Sequence, residues 1–88
     1  MNETLKKELK KLLGAKDDGF GVSRTSAPSG WRGKLSGAGW VEDVKAGQGI
    51  CDGFGCIAVF ARGEDRISVT DIYTSARKSF SVRSISRS

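Results

Sequence analysis

Eighty-eight residues with 15 lysines and arginines against 10 acidic residues, a net charge of +5 at pH 7, describe one small basic domain, spanning residues 1–88. The 38% hydrophobic content supports a modest core, and no run approaches the ~18 apolar residues that a membrane span needs, so no membrane partner is expected. Histidine is absent, which removes the commonest general base and the commonest metal ligand, and two cysteines are too few to close a four-coordinate zinc site within one chain, so no metal or cofactor is expected.

The N-terminus alternates leucine and lysine without a continuous apolar stretch, which does not read as a secretory signal and leaves cytoplasmic residence as the expectation. Residues 3–13 instead predict an amphipathic helix. Leu5, Leu9, Leu12 and Leu13 recur at i, i+4, i+7 and i+8, and Lys6, Lys7, Lys10 and Lys11 lie off that stripe. Asn2 suits the N-cap and Gly14 the C-terminal stop. Three turns are marginal alone in water, so the leucine face must dock, and the simplest surface is the protein's own sheet.

All twelve glycines lie between Gly14 and Gly63, and with Pro28 in Ser26-Ala27-Pro28-Ser29-Gly30 they punctuate the middle of the chain into turns. Short strands fit such a segment. Phe20–Arg24 alternates weakly, and Trp40–Val44 is brief. Cys56–Ala61 is the most apolar run and reads as a central strand, and Arg66–Ile72 alternates cleanly. Arg62-Gly63-Glu64-Asp65 between the last two reads as a hairpin turn. Residues 72–80 show helical spacing at Ile72, Tyr73, Ala76 and Phe80, but the many serines disfavour a long helix, and a turn or short helical excursion followed by a strand from about Ser79 to Ile85 is expected. The resulting fold class is α+β: an N-terminal amphipathic helix on a mostly antiparallel sheet of four or five strands within a glycine-rich region at about 19–88. A small, partly open β-barrel is the alternative. The expected core is Leu5, Leu9, Leu12, Leu13, Val22, Trp40, Val41, Ile57, Val59, Ile67, Val69, Phe80 and Val82.

Catalytic signatures are weak throughout. Gly47-Gln-Gly49 and Gly53-Phe-Gly55 match neither a dinucleotide fingerprint nor a Walker loop, and they lead into a strand rather than a helix, so tight turns explain them. Glu42-Asp43 and Glu64-Asp65 are adjacent pairs whose members would point to opposite faces of a strand, which suits solvated surface better than joint acid–base work. The serines have neither a histidine nor a Gly-x-Ser-x-Gly elbow. A disulfide across Cys51–Cys56 is sterically open because glycines flank the loop, whereas reduced, buried thiols are the plainer state in a cytosol.

Charge is the feature that points to a partner. Residues 72–88 carry Arg77, Lys78, Arg83 and Arg87 with no acid, and residues 19–41 carry Arg24, Arg32 and Lys34 with no acid, while residues 42–71 sum to −3. Trp31-Arg32-Gly33-Lys34 interleaves an indole with cations, the combination that serves base stacking and phosphate neutralisation, although a tryptophan in a small domain is as often a core anchor. The expected site is therefore Arg24, Trp31, Arg32, Lys34, Arg77, Lys78, Arg83 and Arg87, converging on one electropositive surface. It would serve a non-catalytic protein that binds a polyanion, foremost nucleic acid. The alternatives are a small inhibitor or adaptor of the phage or mobile-element type that blocks a host protein by covering an acidic surface on it, and a histidine-free ribonuclease-like toxin that uses Lys, Arg and Tyr73 or a carboxylate.

Overall fold

The computed structural model describes residues 1–47 and 55–85. Helix α1 spans Glu3–Leu13, capped as its sequence dictates: the Asn2 side chain accepts from the Leu5 amide at 2.8 Å, and Gly14 closes the helix in the left-handed region, its amide donating to the Lys10 carbonyl. Leu5, Leu9 and Leu13 are buried, and each contributes about 2 kcal/mol of apolar transfer that an isolated three-turn helix lacks. Then follow β1 (Lys16–Asp17), β2 (Gly21–Arg24), α2 (Trp31–Gly37), β3 (Val41–Glu42), the single turn α3 (Val44–Gly47), β4 (Gly55–Arg62), β5 (Asp65–Tyr73) and β6 (Lys78–Ser84).

The six strands form one antiparallel sheet in the order β1-β2-β6-β5-β4-β3, open rather than closed into a barrel. The α+β architecture with its N-terminal helix is as expected. The edge strand at Val41–Glu42 falls within the brief strand read at Trp40–Val44, and one further short edge strand at Lys16–Asp17 brings the count above the four or five anticipated. The β4–β5 hairpin turns at Gly63-Glu64, with Arg62 paired to Asp65 and Gly63 at φ 61°. Residues 74–77 form a turn, not a helix: the Thr74 hydroxyl accepts from the Arg77 amide at 2.9 Å, and β6 begins at Lys78.

One face of the sheet carries the core. Val22, Ala58, Phe60, Ile67, Val69, Phe80 and Val82 meet Leu5, Leu9 and Leu13 of α1 and Trp31 and Leu35 of α2. Helix α2 was not expected, because Gly33 and Gly37 depress helix propensity and the segment reads as loop; burial of Trp31 and Leu35, one turn apart, supplies what propensity does not. In β4 the inward residues are Ala58 and Phe60, the opposite phase to the Ile57 and Val59 anticipated. Ile57 is 54% exposed and Val41 is 69% exposed, so neither belongs to the core. Cys56 is half-buried and disulfide-bonded rather than a reduced, buried thiol. Cys51, Arg87 and the turn reading of 48–54 lie outside the described residues.

Candidate functional site

Residues paired across an antiparallel ladder share a face, so the register sorts every strand side chain to one side of the sheet or the other. The strand carboxylates all fall on the helix-covered side. Asp17 pairs with buried Val22, Glu42 with Phe60, Asp65 with Arg62, and Asp71 with both Cys56 and Phe80. Among the described residues the second side carries no strand carboxylate. It carries Lys16, Arg66 and Arg83, together with a row that runs Lys16, Ser23, Ser81, Thr70, Ile57 across five strands. The neighbouring row is Gly21, Arg83, Ser68, Val59, and the next includes Arg66, Ala61 and Val41. Lys16, Arg83, Ile57 and Val41 are exposed there; Ser23, Ser68, Thr70 and Ser81 are half-buried; Val59 is buried where α3 lies against β4.

The β1–β2 turn presents an aromatic ring at the margin of this open face. Asp17 Oδ1 accepts from the Gly19 amide at 2.8 Å, and Asp18 Oδ1 accepts from the amides of Phe20 at 2.9 Å and Gly21 at 2.8 Å. The turn is therefore pinned by its own side chains, and Phe20 stands 71% exposed with the Arg83 guanidinium carbon 5.1 Å from its ring centre. Gly21, opposite Arg83, is obligatory: a Cβ there would lie 2.1 Å from the Val82 carbonyl oxygen. Loop carboxylates reach the two arginines from outside the sheet, Asp18 to Arg83 at 3.7 Å and Asp43 to Arg66 at 3.2 Å. Burial opposes ionisation of Asp18, but the amides of Phe20 and Gly21, the Ser23 hydroxyl and Arg83 outweigh it and hold the carboxyl below its ordinary value.

The eight residues expected from the sequence are not gathered together. Trp31 is a core ring, 8% exposed, packed at 6.0 Å on Phe60 and 5.6 Å on Phe80; it is not available for stacking on a ligand. Arg24 donates to the Leu13 carbonyl at 2.9 Å and satisfies the end of α1. Arg32 lies over the Trp31 ring and pairs with Glu42. Lys34 is exposed on α2, and Arg77 and Lys78 are exposed at the β5–β6 turn. Of the described members, Arg83 alone belongs by register to the open face. Phe20, Lys16, Arg66 and the hydroxyl row were missed by sequence reading. The period-2 placement of Arg66, Ser68 and Thr70 opposite Ile67, Val69 and Asp71 was the signal that could have found part of them.

Two other clusters bring polar groups together. On the helix-covered side, burial pushes the Asp71 carboxyl up against the opposing influence of Arg32, and the Cys56 Sγ lies 3.6 Å from the Tyr73 hydroxyl. Among the described residues no group of three or more His, Cys, Asp or Glu side chains is placed to hold a metal. Between α1 and α2 a shallow depression is lined by Leu12 and Ala38 and rimmed by Glu8, Lys11 and Lys34, with Glu8 engaged by Arg62. No described helix is long and apolar enough to cross a membrane. No protein family, characterised protein or solved structure matches the chain.

Proposed function

We propose that this protein is a non-catalytic nucleic-acid-binding domain and that its open sheet face is the binding surface. The observation that carries the reading is the one-sided placement of the strand carboxylates: every described one lies on the helix-covered side with Arg24, Arg62 and Lys78, while Lys16, Arg66 and Arg83 lie on the other, where the only described counter-charges on the two arginines are the loop carboxylates Asp43 and Asp18. Phosphates are attracted by those three cations, and the serine and threonine hydroxyls beside them supply neutral hydrogen-bonding groups of the kind that fix a sugar–phosphate backbone. The aromatic needed for base contact is Phe20 rather than Trp31. A cytoplasmic setting belongs to this reading, and in that reducing compartment the Cys56 disulfide is expected to open, which alkylation of freshly lysed cells would detect.

Titration with fluorescently labelled DNA and RNA at increasing salt tests the proposal. Three phosphate contacts give a log–log salt slope of about −2 for a single strand. Charge reversal at Lys16, Arg66 and Arg83 is expected to abolish binding, while reversal at Lys7, Lys10 and Lys11 on the solvent side of α1 leaves most of it. Absence of binding at low salt removes the reading.

The depression between α1 and α2 favours a second reading, an adaptor or inhibitor that engages an acidic protein surface. Its apolar floor at Leu12 and Ala38, flanked by Lys11 and Lys34, suits an apolar side chain with acidic neighbours. A stoichiometric protein captured from nuclease-treated lysate, and lost with Lys11→Glu and Lys34→Glu, would support it over the first.

A further inference from the structure

We infer that the ligand of the open face is a single strand laid obliquely from β1 towards β5, with an unpaired base against Phe20; the inference rests on the nucleic-acid reading of that face. The three cations are not in one row. Lys16 stands in the row of Ser23, Ser81 and Thr70, Arg83 two strands across and one row further along, and Arg66 one strand across and one row further again. With strands ~4.8 Å apart and same-face residues ~6.8 Å apart along a strand, the backbone steps between them are roughly 12 and 8 Å on one diagonal. A backbone following that diagonal passes the half-buried hydroxyls of Ser23, Ser81 and Ser68, and it passes Phe20 at the point where Arg83 stands over the ring.

The width of the face does not suit insertion into an undistorted major groove. Five strands from β1 to β4 make a surface roughly 19 Å across, whereas the major groove is about 12 Å wide and admits an α-helix or a two-stranded ribbon. A base inside a duplex offers no free π-face to a ring at the sheet margin, while an unpaired base does. Phe20 is 71% exposed, and the backbone of its turn is fixed by the Asp18 carboxylate, so the ring is presented on an ordered turn and only its own side-chain torsions are left to order on binding. Stacking of this kind tolerates any base, and the sites that the register places beside the cations are hydroxyls rather than the amide side chains that read base edges in pairs. The expected ligand is therefore a single strand of any sequence.

The experiment compares oligo(dT) and oligo(U) with a DNA duplex of the same length at low salt, for the unaltered protein and for Phe20→Ala, with circular dichroism to confirm that the variant is folded. The expected result is tighter binding of the single strands, a loss of about tenfold on Phe20→Ala for the single strands alone, and quenching of a Phe20→Trp emission by oligo(dT) but not by the duplex. Duplex binding equal to or tighter than single-strand binding overturns the inference and leaves the nucleic-acid reading standing. A single-strand preference untouched by Phe20→Ala overturns it as well. No binding of any of the three removes the nucleic-acid reading, and the inference falls with it.

Discussion

The two faces of the sheet are built from the same strands and differ in almost every property that matters. The helix-covered face holds Phe60, Phe80, Ile67, Val69 and Val82 against α1 and α2, and it places its carboxylates beside arginines: Glu42 with Arg32, and Glu8 of α1 with Arg62. The open face holds hydroxyls, exposed Ile57 and Val41, and cations whose counter-charges come from loops. The difference teaches where to look for function in a small domain. A charged residue on the first face is part of the scaffold, as Arg24 is at the end of α1, and a charged residue on the second is a candidate contact.

Substitutions can break or sharpen that contrast. The largest effect is expected for Trp31→Ala, which removes a buried ring packed on Phe60 and Phe80 and should cost about 4 kcal/mol of stability in urea unfolding. Had Trp31 been a surface stacking residue, the cost would fall within about 0.5 kcal/mol and the loss would be in affinity instead. Next comes Gly21→Ala, whose Cβ meets the Val82 carbonyl oxygen, backbone against backbone, and should cost about 2–3 kcal/mol by prying β2 from β6. An unchanged unfolding midpoint would mean that the two strands part more easily than their register implies.

Smaller effects test the charges. Asp18→Asn keeps an oxygen for the Phe20 and Gly21 amides and removes the counter-charge of Arg83, so it is expected to tighten single-strand binding about threefold, on the scale of a surface ion pair. Looser binding would make Asp18 a ligand contact rather than a competitor.

The smallest effects come from pH on the helix-covered face, and they run in opposite directions. The hydrogen bond from Arg62, opposed by burial, leaves the Glu8 carboxyl below its ordinary 4.5, so its contribution is present above that value and lost as pH falls through the folded one. Burial raises the Asp71 carboxyl, so the folded state holds that proton more tightly. Its stabilising effect is present below 3.8 and is lost as pH rises through the folded value. In chemical denaturation at neutral pH, Glu8→Gln is expected to destabilise by less than about 1 kcal/mol, while Asp71→Asn stabilises, and both differences shrink in acid.

Much of the architecture was legible in the sequence for definite reasons. The leucine stripe of α1 is a 3.6-residue period with a cap at each end, and Ile67, Val69 against Arg66, Ser68, Thr70 is a period of two. What failed lacked such a signal. Cys56–Ala61 is apolar at every position, so its phase is set only by pairing with β5: Val59 is buried as expected, though on the face opposite the main core, and Ile57 is exposed. Helix α2 runs against its own propensities and exists because Trp31 and Leu35 find the core. Trp31 sits among Gly30, Arg32 and Gly33, where core anchor and surface stacking residue are equally open readings, and nothing around Phe20 marks it as the exposed ring; tertiary packing decides both. The ion pairs that occupy Arg32 and Arg83 join segments distant in the chain, and no spacing rule foretells them.

The assignment of binding to the open face is tested most directly by mapping amide chemical-shift changes in a uniformly labelled sample as oligo(dT) is added at low salt. Shifts are expected at Lys16, Phe20, Ser23, Arg66, Ser68, Thr70, Ser81 and Arg83, with α1 and α2 unmoved. Shifts concentrated at Lys7, Lys10, Lys11 and Lys34, with the open face silent, would contradict it.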